Sequence, residues 1–149
     1  VNIYFACSIT GGRDFESVYQ TITRALLADG HQVPTAHLAE ASVLDMEKIV
    51  SPQEVYARDI AWIRAADALI AEVSIPSHGV GYEIGFALGL GKPVLCVYQQ
   101  GRSVSKMITG NSQAGLYVRA YQDTAQAVEV VGEFLTQNAR IVKNITNIQ

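Results

Sequence analysis

The chain has 149 residues, 49% of them hydrophobic and 17% charged, which suits one ordinary domain and excludes intrinsic disorder. Eleven Lys and Arg against fourteen Asp and Glu leave a net charge of -3, which offers no field for holding a nucleic-acid backbone. Asp67 and Glu72 interrupt the longest apolar stretch, so no segment reads as a membrane span.

In chain order, residues 2–6 (NIYFA) predict a strand. A helix follows from Asp14 to Asp29, with Phe15, Val18, Tyr19, Ile22 and Leu26 on one face and Gly30 as its stop. A second strand is expected at 31–34, and the stretch 38–50 reads as either a short helix or a loop. Ser51-Pro52-Gln53-Glu54 marks a helix start, with a cap, a proline at the first helical position and a capping-box Glu. That helix runs to Ala66 and is followed by a strand at 68–73, a loop at 74–80 and a helix at 81–90. A strand at 93–98, a loop to 105, a strand at 116–121 and a helix at 124–137 complete the pattern. Residues 1–137 therefore read as a single domain and 138–149 as a peripheral tail.

Strands alternating with helices predict an α/β fold whose parallel sheet is covered on both faces. Five strands with right-handed crossovers give the order 2-1-3-4-5, the flavodoxin/Rossmann-like three-layer sandwich. In that order the first and third strands are neighbours, and their helices leave on opposite faces. The ligand crevice is expected at their carboxyl ends, between the loops Cys7–Arg13 and Ser74–Gly81.

Several residues near that crevice can carry chemistry. Gly11 and Gly12 suit either a tight turn or the approach of an anion to backbone amides before a helix. Gly79, Gly81 and Gly85 are spaced GxGxxxG, follow the third strand and so depart from the dinucleotide fingerprint. Glu83 is placed in the first turn of an otherwise apolar helix. There it either complements the helix dipole or serves, ionised, as nucleophile or base. Asp59 shares a helical stripe with Val55, Trp62, Ile63 and Ala66, which fits either a structural acid or one lining a pocket. Arg58 and Arg64 are expected to point elsewhere. Tyr4, inside the first strand, is either core or an inward phenol seeking a partner. The histidines and cysteines have no metal-ligand spacing, so no metal is expected. Cys7 and Cys96 form no CxxC and Val1–Phe5 lacks a basic leader, so reduced thiols and a cytoplasmic setting are expected.

Ile3-Tyr4-Phe5, Ser8-Ile9-x-Gly11-Gly12-Arg13, Asp59 within Arg-Asp-Ile-Ala-Trp, the run Pro76–Gly85 and Ser103–Ile108 together resemble the 2'-deoxynucleoside 5'-monophosphate N-hydrolases. These belong to the nucleoside 2-deoxyribosyltransferase superfamily. The resemblance implies hydrolysis of the N-glycosidic bond to free base and 2-deoxyribose 5-phosphate, through a covalent glycosyl-Glu83 intermediate and without a cofactor. It makes Asp59 the group that binds the sugar hydroxyl and assists proton transfer, and Tyr4 a residue that orients Glu83 or contacts the sugar. It assigns Ser8, Ile9, Thr10, Gly11, Gly12, Arg13, Ser77, Gly79, Gly81 and Ser105 to substrate binding, chiefly of the 5'-phosphate, and His37 to the vicinity of the base. Ser105 would come from the other subunit of a homodimer. Thr10 stands where several relatives carry Arg, which removes a charge-assisted contact. A deoxyribosyltransferase and a non-catalytic nucleotide-binding module are the alternative readings.

Overall fold

The computed structural model describes residues 1–11, 14–40, 45 and 47–146. Four strands, β1 (Ile3–Ala6), β2 (Ala68–Glu72), β3 (Val94–Gln99) and β4 (Leu116–Tyr121), form one sheet in the order β1-β2-β3-β4. Every pairing is parallel, with Phe5 opposite Ile70, Ala71 opposite Cys96 and Cys96 opposite Val118. The helices are α1 (Glu16–Ala28), α2 (Pro52–Ala65), α3 (His78–Gly89), α4 (Lys106–Thr109) and α5 (Thr124–Thr146), with a 3-10 turn at Ala36–Ala39.

Alternation along the strands builds two separate cores. Ile3, Phe5, Ile70, Leu95 and Val97 face Tyr19, Ile22 and Leu26 of α1 and Val131 and Phe134 of α5. Tyr4, Ala6, Leu69, Ala71 and Cys96 face Ile63 of α2 and Val80, Ile84, Ala87 and Leu88 of α3. The result is the expected three-layer sandwich. Among the described residues, no helix is long and apolar enough to cross a membrane.

The expected five-stranded sheet has four strands. Residues 31–34 contribute a single parallel bridge, Asn2 to Gln32. Its hydrogen bonds run from Ile3 N to Gln32 O (2.8 Å) and from Gln32 N to Val1 O (2.9 Å). Pro34 has no N–H to continue the ladder. The next donor along β1, Phe5 N, is taken instead by the buried Thr35 hydroxyl at 2.9 Å. Without that outer strand, the remaining order is the one expected.

Two helix boundaries differ by more than two residues. Helix α5 continues to Thr146 rather than stopping at 137, and Asn138 is buried, its side-chain amide donating to Phe134 O. Helix α3 begins at His78, because the Ser77 hydroxyl accepts from Val80 N and caps it there. Glu83 consequently lies beyond the first turn.

A buried carboxylate fixes the strand ends beneath the crevice. Glu72 is fully buried and accepts from the Tyr121 hydroxyl at 2.9 Å and from the Ser74 hydroxyl. The Ser74 hydroxyl accepts in turn from Gln99 N at 2.8 Å. Three strand ends are tied at the root of the β2–α3 loop, and burial pushes the Glu72 pKa upward despite these donors.

Candidate active site

Helix α1 follows β1 on one face of the sheet and α3 follows β2 on the other, so the chain opens a crevice between two adjacent strands. A cavity of about 260 Å³ occupies this point and is lined by Tyr4, Ile9, Thr10, Asp59, Ser77, Gly79 and Glu83. It adjoins a more open cavity of about 480 Å³, which shares Glu47, Val55, Asp59, Gly79 and Glu83 with it and adds Pro52, Tyr56, Ile60 and Tyr82. The three residues expected to be catalytic therefore line one space.

Their geometry is specific. Tyr4 is 1% exposed and its hydroxyl donates to Glu83 Oε1 at 2.7 Å. Burial lifts the Glu83 carboxyl from its ordinary 4.5 to about 7. The Tyr4 hydrogen bond and the charge of Arg58 oppose that rise, and the charge of Asp59 adds to it. The expected first-turn position of this carboxylate is thereby corrected, and with it the support it would draw from the helix dipole. With the cap at Ser77, the helix terminus is too far from Glu83 to outweigh desolvation. Burial, together with the carboxylates of Glu83 and Asp59, pushes the Tyr4 phenol far upward, so it remains a donor.

Asp59 does not pack into the core. On α2 only Ile63 is buried, while Val55 and Asp59 are half-buried along the cavity wall and the half-buried Trp62 packs against the core beside them. Arg58 was expected to point away, yet its Nε donates to Asp59 Oδ1 at 2.8 Å. Its Nη1 and Nη2 donate to the two Glu47 oxygens at 2.9 and 3.4 Å. The guanidinium also lies over the Trp62 ring, 5.0 Å from its centroid. Sequence reasoning missed Glu47 and Arg58. Adjacent residues on a helix diverge, so Arg58 reaches Asp59 only by folding back its long side chain. Glu47 lies in a segment without periodicity.

The remaining candidates divide. Ile9 and Thr10 line the smaller cavity. Ser8 is fully buried beneath the loop, and its hydroxyl accepts from Gly11 N at 3.2 Å. Gly11 passes so close to the β2–α3 loop that a Cβ there would meet Ser8 Oγ at 2.6 Å and Pro76 O at 2.9 Å. Gly12 and Arg13 lie outside the described residues. His37 lies outside both cavities, edge-on to Trp62 at 5.7 Å, with Nε2 3.8 Å from Glu47 Oε1. Gly81 and Ser105 line a neighbouring groove of about 700 Å³ between α3 and the segment 103–108, which shares Ser77 and Val80 with the smaller cavity. The Ser105 hydroxyl caps α4 by accepting from Met107 N at 3.2 Å. Among the described residues, no three His, Cys, Asp or Glu side chains converge as a metal site.

Comparison with known proteins adds an independent line. The family model described as nucleoside 2-deoxyribosyltransferase matches residues 3–140. A protein of Methanosarcina mazei named "Putative 2'-deoxynucleoside 5'-phosphate N-hydrolase 1" is 40% identical over 134 residues, covering 90% of this chain and 83% of its own. The 5-hydroxymethyl-dUMP N-hydrolase of Mus musculus is 44% identical over 113 residues, covering 73% of this chain and 65% of its own. Among solved structures, the CMP N-glycosidase of Clostridium botulinum superposes with a TM-score of 0.70 at 18% identity, over 89% of this chain and 99% of that one. At that identity the likeness concerns the fold.

Proposed function

The chain belongs to the nucleoside 2-deoxyribosyltransferase family, and from that premise we propose that it hydrolyses the N-glycosidic bond of 2'-deoxynucleoside 5'-monophosphates. The products are a free base and 2-deoxyribose 5-phosphate. The observation that carries this reading is the convergence of Glu83, Asp59 and Tyr4 on one cavity beside the α3 N-terminus. Relatives named as N-hydrolases of such nucleotides support it.

In this mechanism Glu83 attacks the anomeric carbon as the base departs, forming a glycosyl ester that water then cleaves. Tyr4 orients the nucleophile by binding one oxygen and leaves the other for attack. Asp59 binds the sugar hydroxyl and assists proton transfer at the base and the incoming water. Side chains supply both the nucleophile and the proton-transfer group, so no cofactor enters the scheme. The 5'-phosphate sits against Ile9, Thr10, Ser77 and Gly79, where the cap of a twelve-residue helix favours an anion.

We place Ser105 of a second copy at the same phosphate. Within one chain Ser105 does not reach the catalytic cavity. Its surroundings suit an interface, since Met107 in the same groove is 83% exposed. Both cysteines are buried, in keeping with the cytoplasmic setting we infer.

Comparing each nucleotide with its bare nucleoside tests the phosphate reading. The monophosphate is expected to be favoured by roughly 10²-fold in kcat/KM, within reach of two charge-assisted hydrogen bonds. Ser105→Ala should lower the nucleotide reaction and spare the nucleoside reaction. Equal cleavage of both substrates, or predominant sugar transfer to an added second base, would favour a transferase instead.

A further inference from the structure

We propose that Arg58 is a positioning residue for this site, its guanidinium fixing the Asp59 carboxylate and holding a positive charge against the Asp59–Glu83 pair. The proposal rests on the functional reading above for its catalytic meaning, although the electrostatics belong to the free protein. Two carboxylates that line one cavity repel each other, and the charge of Asp59 disfavours that of Glu83. Arg58 counters this from the Asp59 side, through the 2.8 Å bond of Nε to Asp59 Oδ1. Its other two nitrogens are engaged by Glu47, and the plane of the fork is braced on Trp62. The side chain is thereby held on three sides, a geometry a lysine ammonium cannot reproduce.

The charged and titratable groups around Glu83 make the sign definite. Tyr4 faces it from β1, Asp59 and Arg58 come from α2, and Glu47 borders the same cavities from the segment before α2. The charge of Arg58 lowers the Glu83 pKa, while burial and Asp59 raise it. Glu47 acts indirectly, by taking up part of the guanidinium charge. Removing Arg58 therefore makes Glu83 harder to ionise, and neutralising Glu47 makes it easier.

The test is a carbon-13 NMR titration of the glutamate side-chain carboxyls in the free protein, with the Glu83 signal assigned by its loss in Glu83→Gln. Wild-type protein should titrate near pH 7 at this carboxyl. Arg58→Gln should move the midpoint up by about 0.5–1 unit, at or below the lower end of the range for a neighbouring opposite charge, because the guanidinium bonds Asp59 and Glu47 rather than Glu83 itself. Glu47→Gln, which keeps Arg58 in place, should move it down. The acid limb of base release should follow the same order, with Arg58→Gln roughly three- to tenfold slower than wild type on the falling limb. An unchanged midpoint in Arg58→Gln, or an upward shift in Glu47→Gln, would overturn the proposal. A wild-type protein that releases no base would defeat the functional reading alone, because the titration still decides the role of Arg58.

Discussion

A half-buried carboxylate beside Tyr4 and facing a second carboxylate loses hydration that one phenol and one shared guanidinium replace only in part. Glu83 thus folds more readily protonated than ionised. With a folded value of about 7 against an ordinary 4.5, the native state binds the extra proton between those two pH values. Stability therefore falls as pH rises through that window, by at most roughly 3 kcal/mol. Glu83→Gln removes the ionisation while keeping an acceptor for Tyr4. It should match wild type in stability below about pH 4.5 and exceed it by on the order of 1–3 kcal/mol near pH 8. Urea titrations of both proteins at the two pH values check this, and a difference independent of pH would contradict it. The sequence identified Glu83 and Asp59 because an acid on an apolar helical stripe is conspicuous. It misplaced Glu83 in the first turn of its helix, because a weak hydroxyl cap at Ser77 decides where the helix starts.

At the scale of elements, short apolar runs located all four strands, and the Ser51–Glu54 capping box predicted the start of α2 to the residue. The segment 31–34 was misread because His-Gln-Val-Pro offers no distinctive strand pattern. What ends the pairing there is tertiary, namely the substitution of a side-chain hydroxyl for a ladder carbonyl. Thr35 and Phe5 are both fully buried, so Thr35→Val would leave the Phe5 N–H without its acceptor. The expected loss is about 1–3 kcal/mol, the desolvation penalty of an unpaired buried group. Thermal or denaturant unfolding measures it, and a neutral effect would mean that β1 finds another acceptor at this edge. Glu47 and Arg58 were invisible for a related reason: their meeting depends on how the segment before α2 folds back over the cavity.

For the molecule as a whole, the order of the parallel strands determines where chemistry can occur. Strands β1 and β2 are adjacent and their helices diverge, so the two following loops and α3 converge on one crevice. This was legible from the alternation of elements alone, although one outer strand is missing. The anionic substrate proposed here meets a chain with net charge -3. Its phosphate must therefore be held by local dipoles and amides rather than by the overall field. The central claim is that this crevice cleaves a glycosidic bond with Glu83 as nucleophile. The most direct measurement is the time course of free base released from a 2'-deoxynucleoside 5'-monophosphate by wild type and by Glu83→Ala. Steady release by wild type, with a loss on the order of 10³-fold or more in a variant that still folds, is the predicted result. Near-normal release by Glu83→Ala would contradict the account.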